Sequence, residues 1–512
     1  MSDRFGSKAV FRSALLITGS TYVAYAAGLL TNTVIARSLG PADFGRYSYL
    51  IWLSGLLVVF MNNGLTTSAI RFVSECVGRG EADAARKLHR WFSARQWAAV
   101  LGVAAVFLAV LPWLKPAGWD GNLMVFAALA LTAAVARAWY LFGVSVAKGH
   151  GLFGLEAGSV SLLAVASMVA AVGAMFAGAG LMGFLVIFVL HSLAHPVVIA
   201  IWSRKAGVAS AAGASDPALL QRVRPHLYWT VVLTFAAALS NKSFETYLLN
   251  SMVGAEAVGF FTIAAALTRG GVDLLSSGLT SILMPTMAHA YGAGGVDRVS
   301  RITSDAARYF QYLGLLLAGV GAFWAAPVIS IMYGPAYHQA AFLLQVMVVV
   351  GGLTLTQGTF GALLSTTDNQ RVRAGVSVFS VAFSAVAALL LVPRFGILGA
   401  VAAHAVSSLV VLAVVAGFVV VTLKIRLPFA DLGRMFLAAG CALAVAAPVA
   451  LAWHGPLGQG LAGVVYGLAY LASSLLLRVW YARDLEVIGS AARRFSFLAG
   501  VPAWLDRWTR PA

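Results

Sequence analysis

Charge is what this chain most conspicuously lacks. Only 10% of its 512 residues are Asp, Glu, Lys or Arg, against 60% apolar. A soluble domain carries about 25% charged residues, so the chain cannot coat a fold of this length for water. Cysteine is almost missing too. Cys76 and Cys441 are the only two; they lie far apart, exclude a disulfide framework, and read as small apolar packing residues. No His and Cys spacing suits a metal, and no glycine-rich phosphate loop follows a strand pattern. That excludes nucleotide hydrolysis and leaves no resident cofactor or metal to expect. Acids number 18 against 35 bases, a formal charge of +17. Such an excess would suit nucleic acid, but its distribution points to a membrane instead.

What the chain has is long apolar runs. About 20 residues cross a bilayer core of about 30 Å. Fourteen runs qualify: 13–36, 47–70, 96–114, 122–143, 155–177, 181–202, 227–252, 256–285, 309–332, 340–365, 373–392, 397–422, 435–453 and 458–479. With Arg4, Lys8 and Arg12 placed in the cytoplasm, only Arg37, Arg46, Lys115 and Arg394 fall in outer loops, and only Arg137, Lys242 and Arg269 fall well inside spans. The other bases gather on the cytoplasmic side, the asymmetry that orients membrane proteins. The basic excess is therefore a topology signal, and no nucleic-acid partner is expected. Run 13–36 is longer than the ~7–15 apolar residues of a secretory signal, so a retained first helix is expected. Both termini are expected in the cytoplasm of a multi-pass membrane protein.

The chain also repeats itself. Gly40, Gly45 and Gly64-Leu65-Thr66 return, displaced by 214, as Gly254, Gly259 and Gly278-Leu279-Thr280. Gly180, Gly183, Ser192 and Leu193 match Gly396, Gly399, Ser408 and Leu409, displaced by 216. Each unit holds six helices, an even number, so both enter the membrane in one orientation and are related by a pseudo-two-fold axis along the membrane normal. That is the parallel-repeat plan of transporters, with a site between the halves near the midplane. The expected architecture is an all-α integral membrane protein: an N-lobe at 1–202, a cytoplasmic linker at 203–226, a C-lobe at 227–422 and two extra helices at 435–479. The linker, rich in Ala, Gly and Ser over Ala206–Asp216, reads as a flexible strap. The tail at 482–512 and the segment 78–95 alternate Arg or Lys with Leu, Phe and Trp, a pattern suited to lying on an anionic leaflet.

Several short segments resemble a known family. They are ARSLGPADFGRYSY at 36–49, NNGLTTSAIRFVSE at 62–75, MVGAEAVGFFT at 252–262, IMYGPAYHQAA at 331–341 and PRFGILGAV at 393–401. In order and spacing they resemble the polysaccharide-transport (O-antigen or oligosaccharide flippase) branch of the multidrug/oligosaccharidyl-lipid/polysaccharide exporter superfamily. The resemblance implies two six-helix lobes around a cavity opened alternately to either side. It implies a polyprenyl-pyrophosphate cargo, of the undecaprenyl-pyrophosphate-linked oligosaccharide type, moved from the cytoplasmic to the outer face of a bacterial inner membrane for surface polysaccharide, lipopolysaccharide or exopolysaccharide biosynthesis. A polysaccharide polymerase is a candidate partner. The motifs carry no site residues and do not identify the sugar.

Site residues are read from charge placement. A charge at a helix centre costs about 2.5–3.5 kcal/mol by insertion scales, so it faces a cavity or a partner. Arg137 lies in span four, Lys242 and Glu245 in span seven, Arg269 and Asp273 in span eight, and Arg71 at the lip of span two. Lys242 with Glu245 and Arg269 with Asp273 have the spacing of same-face helix pairs, so two readings stay open. Either they are ion pairs that lock helices, or Arg71, Arg137, Lys242 and Arg269 bind the pyrophosphate while Glu245 and Asp273 balance them or carry a coupling proton or sodium ion. By helix rise, Arg137 and Lys242 belong to opposite leaflets, giving a cationic path. Asn62, Gln357, His191 and His195 read first as interior contacts. The rival functions are a drug or metabolite cation antiporter of the same superfamily, and a membrane polysaccharide polymerase or ligase. The short, weakly charged outer loops disfavour an enzyme.

Overall fold

The computed structural model describes residues 7–213, 216–240, 243–367, 369–481 and 484. Lys242 and nearly all of the tail at 482–512 lie outside the described residues. Everything regular among them is helical: α1 (Ser7–Asn62), α2 (Leu65–Gly78), α3 (Ala82–Val110), α4 (Leu123–Gly149), α5 (Phe153–Phe176), α6 (Leu181–Lys205), α7 (Pro217–Ser240), α8 (Ser243–Leu248), α9 (Ala255–Thr268), α10 (Leu274–Met332), α11 (His338–Leu353), α12 (Gln357–Thr366), α13 (Gln370–Gly417), α14 (Phe429–Ala452) and α15 (Pro456–Leu476). π-helical turns follow α8, α9 and α13, at Leu249–Val253, Arg269–Asp273 and Phe418–Thr422. A spanning backbone must satisfy its own polar groups, which is why apolar composition becomes helix here.

Among the described residues, 11 helices are long and apolar enough to cross a membrane. The expected count of fourteen is not what these helices deliver one by one. Leu16–Asn62 and Arg371–Thr422, of 47 and 52 residues, each carry two of the expected spans. Each is broken by a glycine with non-helical backbone, Gly40 (φ 74, ψ 174) and Gly396 (φ 56, ψ −129). Within the expected span 227–252 lie α7, α8 and a π-helical turn, and among the described residues no qualifying helix covers it.

The chain forms two compact units, one of residues 1–262 with 388–397, the other of 263–387 with 398–512. Inside the first, the sequence duplication has a direct structural trace. Gly40 and Gly254 share a positive φ and nearly the same ψ, 174 and 173, a conformation that suits glycine. Five residues on, Gly45 and Gly259 meet. A Cβ on Gly45 would lie 1.7 Å from the Ala255 carbonyl oxygen, and one on Gly259 would lie 2.8 Å from that of Pro41. Each helix start packs on the equivalent glycine of the other, the reciprocity that a two-fold relation requires. Asn250 closes the same region, its Nδ2 donating to the Lys115 carbonyl at 2.9 Å and its Oδ1 accepting from the Ala117 amide at 2.8 Å.

Two expectations are corrected. The segment 78–95 does not lie on a lipid surface: Leu88 and Phe92 are fully buried in the core formed with Leu65, Phe72, Val146 and Val223. The helical turn that alternates bases with apolar residues therefore packs on protein. The strap is also held rather than loose where it is described. Ala211 donates its amide to the Arg86 carbonyl at 3.2 Å, α7 begins at Pro217, and Val208, Leu219 and Val223 join the same core.

In the second unit, α14 and α15, the helices outside the duplication, pack on α10. Tyr312, Tyr466 and Tyr470 stack there; Tyr466 donates to the Leu315 carbonyl at 3.1 Å and Tyr470 to that of Tyr312 at 3.2 Å. A further buried knot joins α10 to the start of the tail. Arg308 and Asp484 are 3% and 2% exposed and form an ion pair. Tyr309 also donates to Asp484, and the Tyr481 hydroxyl donates to Asp431 at 2.8 Å.

Candidate functional site

α4 starts cleanly because Asn122 caps it, its side-chain oxygen accepting from the Met124 amide at 2.8 Å. One face of the helix is alanine-rich and fully buried, at Ala127, Ala130, Ala134 and Ala138. That close packing fixes the orientation of Arg137, which is half-buried. Its charge is within electrostatic reach of Tyr47 on α1, Tyr140 on α4, and His191 and His195 on α6. The ring of His195 lies 4.5 Å from that of His191 and 4.7 Å from that of Tyr140, and its Nδ1 donates to the His191 carbonyl at 2.8 Å. The Tyr140 hydroxyl meets Ser159 Oγ at 3.0 Å. The nearby carboxylate, Glu156, is taken by Lys148 at 2.6 Å. Among the described residues Arg137 makes no ion pair and no hydrogen bond.

A cation in a span with no carboxylate answering it stays available to an anion. The guanidinium fork suits phosphate because it donates two parallel hydrogen bonds. The surrounding phenols and imidazoles add donors and acceptors that match sugar hydroxyls. Arg137 was legible as an isolated charge in an apolar run. Tyr47 and Ser159 were not, since nothing local distinguishes them from packing residues.

Arg71 is elsewhere. It is exposed on α2, and its Nη1 donates to His226 Nδ1 at 2.9 Å. α2 meets α4 at Gly149, where a Cβ would lie 2.8 Å from Val73. Gly149 is twelve residues from Arg137, about 18 Å along the helix. Arg71 and Arg137 therefore sit at different depths of the first unit and do not form one site. Next to Arg71, Glu75 binds Arg222 through both oxygens, at 2.7 and 3.2 Å, and Arg79 at 2.5 Å. The Arg222 hydrogen bond above all, then the charges of Arg222, Arg79 and Arg71, holds the Glu75 carboxyl below its ordinary range. Burial and the Arg71 charge lower His226, just before the expected seventh span.

Glu245 is buried, 1% exposed, on α8. Arg269 and Asp273 are both exposed and occupy one π-helical turn in the second unit. Among the described residues no ion pair joins them, so the helix-locking one of the two readings is not met for this pair. Such turns gather at functional sites. Asn62 and Gln357 are interior contacts, as their type suggests: Gln96 Nε2 donates to Asn62 Oδ1 at 3.3 Å, and Gln357 Nε2 to the Ser408 carbonyl at 2.8 Å.

The described residues thus form an all-helical, multi-pass membrane fold built on an internal duplication, with an arginine inside a span that no ion pair neutralises among them. Solved structures agree on that fold. The chain is similar to "Lipid II flippase MurJ, inward closed conformation", with a TM-score of 0.73 at 13% identity over 92% of this chain and 99% of that one. It is also similar to an inward-facing multidrug resistance MATE family transporter of the MOP superfamily, with a TM-score of 0.63 at 14% identity over 78% and 94%. A MOP superfamily transporter from Pyrococcus furiosus, whose title speaks of a reversed polarity of its binding pocket, gives 0.57 at 14% over 81% and 96%. A search of curated protein sequences found no match. The family match is direct: residues 10–290, more than half of the chain, fit the family described as "Polysaccharide biosynthesis protein". The chain belongs to that family.

Proposed function

We propose that the protein flips a polyprenyl-pyrophosphate-linked oligosaccharide from the cytoplasmic to the outer face of the membrane, by alternating access and without a nucleotide. The observation that carries the reading is Arg137, a guanidinium inside a span with no carboxylate partner among the described residues, in a chain of a polysaccharide biosynthesis family. Arg71, at another depth, would receive the headgroup first. Arg269, with Lys242, would continue the cationic path, while Glu245 and Asp273 would balance it or carry a coupling proton or sodium ion. Membrane potential supplies about 2.3 kcal/mol per charge per 100 mV, enough to bias a charged headgroup.

Deletion of the protein tests this. Lipid-linked oligosaccharide is expected to accumulate on the cytoplasmic face and surface polysaccharide to fall. Normal surface polysaccharide with no accumulation would overturn the reading. The MATE-like fold favours a second reading, an antiporter for cationic drugs or metabolites. In that case deletion would sensitise cells to cationic compounds and leave the lipid-linked intermediate unchanged.

A further inference from the structure

We propose that the α4–α6 face of the first unit is a binding site for an anionic phospholipid, holding one acyl chain in an apolar groove and the phosphate at its basic end. Two adjoining cavities make the groove, with volumes of about 410 and 580 Å³. They share Trp139 and Pro196. The first is lined by Leu131, Val135, Ala136 and Leu193 and is almost wholly apolar. The second adds His89, Ser203 and Arg204 to Phe142, Val146 and Ile199. Polarity thus rises in one direction only, as it does along a phospholipid.

The local sequence explains the gap. Pro196 lies inside α6, where it removes a backbone donor and its ring pushes on the preceding turn. Gly143 faces Ile199 across it. On α4 the lining positions Thr132, Val135, Ala136, Trp139, Gly143 and Val146 recur at intervals of three and four, a single stripe. Arg137 is not on that stripe, so this site and the Arg137 site use different faces of one helix. From Thr132 to Val146 the stripe runs about 21 Å. Half of a bilayer core is about 15 Å, so the groove spans one leaflet and reaches its headgroups.

Two of the lining residues carry a polar atom without a hydrogen bond. Trp139 Nε1 and Ser203 Oγ are buried and make no hydrogen bond among the described residues. A buried polar atom without a partner is unfavourable, and the ester or phosphate oxygens of a lipid seated against these two residues would offer one after a small side-chain shift. Arg204 is exposed and makes no ion pair among the described residues, which supplies charge complementarity to a phosphate. The groove opens toward lipid, because Leu190, Leu193 and Val197 of α6 are 59, 41 and 56% exposed on an apolar face. A single leaflet-length channel ending in one arginine fits a phospholipid better than a long polyprenyl pyrophosphate.

The test uses full-length purified protein in vesicles containing a photoreactive phosphatidylglycerol, with labelled peptides mapped. Labelling is expected on α4 and α6. It should fall about tenfold in Arg204→Gln, which loses a charge-assisted hydrogen bond, and in Ala200→Trp, which fills the cavity from an exposed position. Unlabelled phosphatidylglycerol should compete, and phosphatidylcholine and inorganic phosphate should not. Equal labelling in both variants, equal competition by phosphatidylcholine, or stronger competition by a polyprenyl phosphate would each overturn the proposal. If Ala200→Trp does not fold, Arg204→Gln and the competition series decide alone.

Discussion

Arg137 bears the cost of a cation in a span without the relief of a salt bridge. A charged hydrogen bond is worth about 1.5–3 kcal/mol, so Arg137→Ala should slow transport about tenfold or more at unchanged membrane abundance. Arg137→Lys, which keeps charge but loses the fork, should fall between. Gly45 makes a different demand. An added Cβ would sit 1.7 Å from the Ala255 carbonyl oxygen, so Gly45→Ala should destabilise by about 1–3 kcal/mol, read as a lower melting temperature in detergent. The segments it joins should also become more accessible to cysteine reagents. Gly40→Ala is expected to destabilise as well, through its positive φ. His226 gives a pH dependence. Its folded pKa is lowered, so the unfolded chain binds the proton more readily, and stability is full above the ordinary value near 6.5 and falls as pH drops below it. Protonation also removes the Nδ1 acceptor that Arg71 uses. Melting temperature should therefore drop between pH 7.5 and 5.5 in the wild type, and drop less in His226→Phe. The repeat glycines and Arg137 were legible in the chain because isolated exceptions to a strong background stand out. His226, Tyr47 and Ser159 were not, because their roles come from partners distant in sequence.

At the scale of elements, helices were legible wherever an apolar run met a cap or a glycine, and the kinks at Gly40 and Gly396 fall between runs that read as separate spans. On the far side of each kink the backbone resumes helical geometry at once. The segment 78–95 misled, since an amphipathic stripe has the same pattern whether its apolar face meets lipid or protein. Leu88 and Phe92 found protein. The knot of Arg308 and Asp484 left no local signal, its members being far apart in the chain. Removing one partner of a buried pair costs about 3–5 kcal/mol. Asp484→Asn should thus lower the melting temperature sharply, and the double change Arg308→Met with Asp484→Leu should restore much of it. A double variant as unstable as the single one would show that the charges themselves are required.

For the whole molecule, composition pointed to lipid as the solvent and the duplication to the class of fold; the 11 apolar helices among the described residues and the likeness to solved structures agree with that fold. The cargo was less legible, because a binding surface for a polar or charged group needs few residues and shares them with ordinary packing. The most direct test is reconstitution in vesicles with a pyrophosphate-linked oligosaccharide on a polyprenyl carrier, measuring its passage from one leaflet to the other. Passage is expected to require the protein, to need no nucleotide, and to slow at least about tenfold in Arg137→Ala. Undiminished passage in that variant, or none in the wild type, would contradict the account.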